Sequence, residues 1–261
     1  MLKINFQVNE EYLARRMIST NNMPTDFANY LWDKYRDSYQ TLQKNVASNN
    51  IDMNIIKELQ KQDFFIQALK SANDNYTRIK NNWDKNQEQI VNFLKRILKI
   101  DLNLEVTGFI FPPNFNTGVN IGNNCFVWGH MQGTKDENYD LVYLVHEALH
   151  SYFEKDNMSH AIIENISDVE LARFLNGTIK HCPYHSFTQE EHIKIYPYWN
   201  LYLNKTKEEI LKDQEYTKIM YDIDKYEIER DFVSKLDINQ LIDFLKEKIK
   251  SIEFETSYEI L

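Results

Sequence analysis

Cysteine, glycine and proline are all scarce in this 261-residue chain. Its only cysteines, Cys125 and Cys182, exclude a disulfide-stapled secreted scaffold and predict two free thiols in a reducing compartment. Six glycines and five prolines supply too few turn formers for a many-stranded β fold, and favour long helices. No stretch approaches the roughly 20 consecutive apolar residues of a bilayer span. The opening MLKINFQVNEEYLARR lacks the basic segment and apolar core of a signal peptide. Positive charge is in deficit, 30 Lys and Arg against 39 Asp and Glu, for a net charge of -9. That balance offers no basic footprint for nucleic acid and a poor surface for anionic lipid. These absences predict a cytoplasmic protein that works on neither nucleic acid nor membrane.

The chain holds 43% hydrophobic residues, and at this length roughly 75% of the unfolded surface is buried on folding, enough core to preorganise an active site. Leu2 to Val8 alternates as a short strand, after which Asn9 is placed to cap a helix from Glu10. Thr25 precedes a helical stripe of Phe27, Leu31, Tyr35 and Leu42, and two further helices are expected, about Ile51 to Ala72 and Asn75 to Lys99. The period then changes. Leu102, Leu104 and Val106 alternate with polar residues up to the stop at Pro112-Pro113, and Gly118 to Ile121 and Cys125 to Trp128 read as strands joined through Gly122-Asn123-Asn124. A small antiparallel sheet is the expected result.

Helical spacing returns at Asn138, and a second helix is expected from about Ala161 to Leu175, capped by Asn176-Gly177. Thr188 with Glu191, Thr206 with Glu209 and Asp237 with Gln240 have capping-box spacing, and Pro197 should end or kink the first of these helices. The fold class is α+β and mostly helical: an N-terminal helical lobe over 1–100 and a second domain over 101–261, sharing one compact body without a linker or internal repeat.

Chemistry concentrates in LVYLVHEALHSYF. On a helix, His146 and His150 lie about 40° apart around the axis and one turn apart along it, so both imidazoles reach one metal. Glu147 is turned about 100° from His146, within reach of a metal-bound water without being forced to ligate. A helix this apolar on its other face is buried, and burying these three polar side chains is costly unless they satisfy one another, as metal ligation does. A catalytic zinc takes three protein ligands, so a third must come from elsewhere.

Downstream stands His160-Ala161-Ile162-Ile163-Glu164-Asn165-Ile166-Ser167-Asp168. The pairing of H-E-A-L-H with E-N-I-S-D resembles the thermolysin-like gluzincin zinc metallopeptidases, over about Leu141 to Leu175. The resemblance implies a zincin-like core with two active-site helices and one catalytic zinc ion. It makes Glu164 the third ligand, and Asp168 a hydrogen-bond partner to the other ring nitrogen of a ligating histidine, chiefly His146. Residues 164 and 168 share a helix face, as those roles require. Glu170 is the competing acid, but at about 240° further around the helix it cannot face the metal together with Glu164. The 13-residue connection from His150 to Glu164 implies a tight turn near Lys155 to Ser159.

The implied activity is peptide-bond hydrolysis of a peptide or protein substrate, with Glu147 as general base. Such sites add a Tyr or His that stabilises the oxyanion. The candidates are His181, Tyr184, His185, His192, Tyr196 and Tyr198, none singled out by spacing. His181, Cys182 and His185 have metal-ligand chemistry, but the turn at Pro183 accounts for their exposure. His130 and His160 read as hydrogen-bonded loop residues, and Glu208 to Asp231 as a solvated helix face. The strand Cys125, Phe126, Val127, Trp128 and Gly129 is a candidate edge for an extended peptide. It carries no acid to capture an α-amine, which favours an endopeptidase. The alternatives are a non-catalytic zinc-binding regulatory protein and a metal hydrolase of a non-peptide amide.

Overall fold

The computed structural model describes residues 1–44, 52–115, 118–129, 136–177 and 188–258. It is mostly helical with one small sheet, and the chain divides into two compact units. A sheet-bearing unit is built from Lys3–Asn86 and Glu105–Ser151; a helical unit is built from Met1–Leu2, Gln87–Leu104 and Tyr152–Leu261. Among the described residues no helix is long and apolar enough to cross a membrane.

In the sheet-bearing unit, β1 (Leu2–Gln7) leads to α1 (Glu10–Ser19), where the Asn9 side chain accepts from the Tyr12 amide at 2.9 Å, the cap that the sequence predicts. α2 (Thr25–Lys44) buries Leu31, Tyr39 and Leu42 but leaves helical geometry at Tyr35, whose hydroxyl bonds Glu58. α3 (Met53–Gln60) and α4 (Asp63–Leu98) follow. The break between them lies at Lys61-Gln62, not near residue 73 as the sequence suggested. The polar run Asn73-Asp74-Asn75 lies inside α4. Asn73 bonds back to the Leu69 carbonyl, and buried Asn75 donates to the Phe111 carbonyl, so the helix passes through. Leu13, Leu31, Leu42, Ile55, Leu59, Phe65, Phe111 and Val127 form the core of this unit.

β2 (Leu104–Ile110), a 3₁₀ turn at Pro113–Phe115, β3 (Gly118–Gly122) and β4 (Cys125–Trp128) complete a four-stranded sheet in the order β1-β2-β4-β3. The tight β3–β4 turn uses Gly122, Asn123 and Asn124 at φ 85°, 52° and 54°, the left-handed conformations those residue types tolerate. The expected antiparallel sheet is corrected to a mixed one. β3 and β4 pair antiparallel, but β4 inserts beside β2 in parallel, Thr107 opposite Cys125 through Ile110 opposite Trp128. The chain from β2 passes to the outer strand first, and its hairpin then returns β4 to the inner place running in the direction of β2. α5 (Tyr139–Leu149) closes this unit, buried at every position except Tyr143.

The helical unit takes the C-terminal part of α4, ended by Lys99 at φ 55°, whose ammonium caps the carbonyls of Tyr202 and Ser234 and lies 3.9 Å from the centre of the Tyr202 ring. α6 (Asn157–Glu164) is capped by Asp156, then a π-helical stretch runs over Asn165–Leu171 and α7 (Ala172–Asn176) ends at Gly177, φ 71°. The single α-helix expected here is therefore interrupted by a wider turn. α8 (Gln189–Tyr202) continues through Pro197, because residues Ile195 to Tyr202 are all buried and their packing outweighs the lost backbone bond. α9 (Lys207–Thr217) shows both arms of the Thr206–Glu209 capping box, and α10 (Ile223–Glu227) and α11 (Arg230–Val233) are short. α12 (Ile238–Tyr258) begins with the reciprocal Asp237–Gln240 bonds that the spacing predicts.

Candidate metal centre

His146 and Glu147 sit in the last turn of α5, with His150 at its C-cap. Three tethers fix this helix. Asp140, buried in its first turn, accepts from Trp128 Nε1 at 2.7 Å and from Arg78 Nη1 at 2.5 Å, and Arg78 in turn holds Asn75. Tyr143 stacks on Trp128, with ring centres 5.5 Å apart and planes within 8°, and stands 5.8 Å from the His146 ring. At the far end Asn120 of β3 donates to the Glu147 carbonyl at 3.0 Å and to Ser151 Oγ at 2.9 Å. The imidazoles are thus presented from a helix pinned at both ends.

The two Nε2 atoms of His146 and His150 are 3.2 Å apart. Two zinc–nitrogen bonds of roughly 2.0–2.1 Å at a tetrahedral angle place their nitrogens about 3.3 Å apart, so the observed separation fits a pair of ligands to one ion. His146 and Glu147 are buried, at 2% and 7% exposure. Gly118 opens the space beside Glu147: a Cβ built there would meet Trp128 at 2.5 Å and Glu147 Oε1 at 3.1 Å.

In the helical unit, Glu164 ends α6 with no exposure. Its Oε2 accepts from Thr188 Oγ1 and meets His192 Nε2, each at 2.6 Å, and its Oε1 lies 3.7 Å from His160 Nε2, one turn earlier. Asp168, also buried, accepts from Ser167 Oγ at 2.7 Å. The π-helical stretch begins directly after Glu164 and contains Asp168, a local irregularity of the kind that recurs at functional sites. Glu170 is engaged elsewhere: with Arg173, Lys205 and Asp213 it forms an ion network with contacts of 2.5–3.1 Å. That network engages Glu170, the acid that competes with Glu164 in the sequence.

Other expectations are revised. β4 has neighbours on both sides, so Cys125, Phe126, Val127 and Trp128 present no open edge; β3 is the outer strand, and it runs beside Glu147. His160 is on α6, not in a loop. Thr188 caps α8 without bonding its backbone, because its hydroxyl goes to Glu164, so the capping box with Glu191 does not form. Tyr196 is fully buried near Arg173, and Tyr198 is packed edge-on against Tyr226 and Phe244, its hydroxyl pushed up to about 12 by burial. His130, His181, Cys182, Tyr184 and His185 lie outside the described residues. The sequence reading missed Gly118, Asn120 and Thr188. An isolated glycine opening a strand signals close backbone approach, the one cue that was there to use. No protein-family profile, curated protein or solved structure matches the chain.

Proposed function

We propose that the protein is a zinc-dependent metallopeptidase with a gluzincin-type, zincin-like core, in which His146 and His150 hold the ion and the resemblance of the sequence implies Glu164 as the third ligand. The 3.2 Å separation of the two Nε2 atoms, on a buried helix that also carries Glu147, supports this reading most directly. When bound, zinc supplies a Lewis acid that brings the pKa of a coordinated water toward neutrality. Glu147 takes the proton of the attacking water and passes it to the leaving amine. A purely structural site would need no such base.

β3, the outer strand next to Glu147, offers backbone groups on which an extended peptide can add as a strand. Main-chain pairing of that kind suits an endopeptidase. Elemental analysis of the purified chain together with cleavage of a mixed peptide library tests the proposal. It expects about one zinc per chain and cleavage abolished by a chelator and restored by added zinc. Zinc without cleavage would leave a binding protein in its place, and no zinc would remove the proposal.

A further inference from the structure

Resting on the peptidase reading above, we infer that Asn120 is a positioning residue that clamps the backbone of Glu147 to the outer strand β3, so that a peptide paired along that strand and the base keep one register. Its Nδ2 group donates to the Glu147 carbonyl at 3.0 Å and to Ser151 Oγ at 2.9 Å, and its Oδ1 accepts from the Gly122 amide at 3.0 Å. A carbonyl only accepts and a peptide N–H only donates, so a single orientation of the Asn120 amide satisfies both. Both of its N–H groups are spent on the end of α5. Asn120 therefore acts through Glu147 and has no donor left for a substrate.

α5 ends where this bond is needed. Carbonyls in the last turn of a helix lack intrahelical donors. The Ser151 amide, which would serve Glu147 if the helix continued, donates instead to the Ala148 carbonyl at 2.9 Å, and the strand side chain takes its place. β3 is shaped to deliver it. The pairing of β3 with β4 slips between Asn120, opposite Phe126, and Gly122, opposite Cys125, an irregularity of the kind that re-aims side chains next to active sites. The bond from the Gly122 amide to Oδ1 spans that slip. Gly118, two residues earlier on the same face of the strand, brings β3 against the Glu147 side chain as well, whereas Val119 between them is exposed. Water would cap an exposed helix end equally well. A cap supplied by the outer strand adds a fixed distance between the strand and the base, which proton transfer to a bound peptide requires.

Hydrolysis of a fluorogenic peptide drawn from the cleaved library by the zinc-loaded full-length chain, with kcat and KM separated, tests the assignment; hydrogen–deuterium exchange of the zinc-free chain is a second readout. Asn120→Ala and Asn120→Asp should each lower kcat by about 10²-fold, the cost of a misplacement of about 1 Å, and leave KM near the parental value because main-chain pairing on β3 is kept. Both should also speed amide exchange in β3 and the last turn of α5. Asn120→Asp keeps the acceptor for the Gly122 amide and loses the donor to Glu147, so it separates the clamp from the shape of the strand. Ser151→Ala, which keeps the bond to Glu147, should retain the parental kcat. Thermal melting controls for folding, and Asn120→Asp carries the test if Asn120→Ala does not fold. Parental kcat in a folded Asn120→Asp variant overturns the inference, as do a loss carried by KM alone, unchanged exchange in both variants, or a Ser151→Ala variant as impaired as Asn120→Ala. Failure of the underlying reading looks different: a parent chain that cleaves no peptide overturns both together.

Discussion

Gly118 stands against Glu147 so closely that a Cβ at position 118 would lie 3.1 Å from the Oε1 atom. The same Cβ would enter the Trp128 ring at 2.5 Å, and Trp128 has little room to yield, being stacked on Tyr143 and bonded to Asp140. Gly118→Ala should therefore cost about 1–3 kcal/mol, as overpacking does, and displace the outer strand from the helix end. Thermal melting of the variant measures this, and a melting temperature equal to that of the parent would show that the strand moves without penalty.

Glu147→Gln preserves the shape of the side chain and removes its capacity to take a proton. Zinc stoichiometry should be unchanged while kcat falls by about 10²- to 10⁴-fold, the range general-base removal produces. Hydrolysis at the parental rate would assign the base elsewhere.

Glu164 and His160 lie one turn apart on α6, with 3.7 Å between Oε1 and Nε2, so substitution must separate their roles. Glu164→Ala should lose most of the bound zinc, and His160→Ala should retain it. The reverse pattern would make His160 the third ligand. Asp168→Ala should weaken zinc by about 10- to 100-fold if it orients a ligating histidine. All three are read by zinc competition with a chromophoric chelator.

Away from the candidate site, Glu58 binds Lys34, Tyr30 and Tyr35 at 2.5–2.8 Å, and the hydrogen bond from Lys34, followed by that from Tyr30, pulls its carboxyl down to about 2. A carboxyl depressed on folding stabilises the protein above its unfolded pKa, near 4.5, and loses that contribution as pH falls toward 2. Glu58→Gln should accordingly melt below the parent at pH 7, and the gap should close between about pH 4.5 and 2. Melting curves across that range check the sign; a gap that persists at pH 2 would mean that shape, not charge, holds the cluster.

Local features were legible in the sequence wherever a short-range rule had no competitor. Asn9, the Thr206–Glu209 box, the Asp237–Gln240 box, Gly177 and the Gly122-Asn123-Asn124 turn all stand as their residue types predict, because caps and left-handed turns are settled within a few residues. The spacing of His146 and His150 likewise needs only a helix to bring their rings together.

Tertiary structure decided the rest, by offering partners from distant parts of the chain. Asn75 reads as the start of a helix and became an anchor for the Phe111 carbonyl inside a longer one; Thr188 reads as a cap and became a donor to Glu164. The place of β4 between β2 and β3 depends on which backbone edges meet in space, which alternation along one strand does not encode. Sequence spacing therefore determined which candidate residues share one helix, whereas the buried polar partners of Glu164 and Glu170 came from long-range packing, since a desolvated carboxylate is satisfied by whichever donors the fold delivers to it.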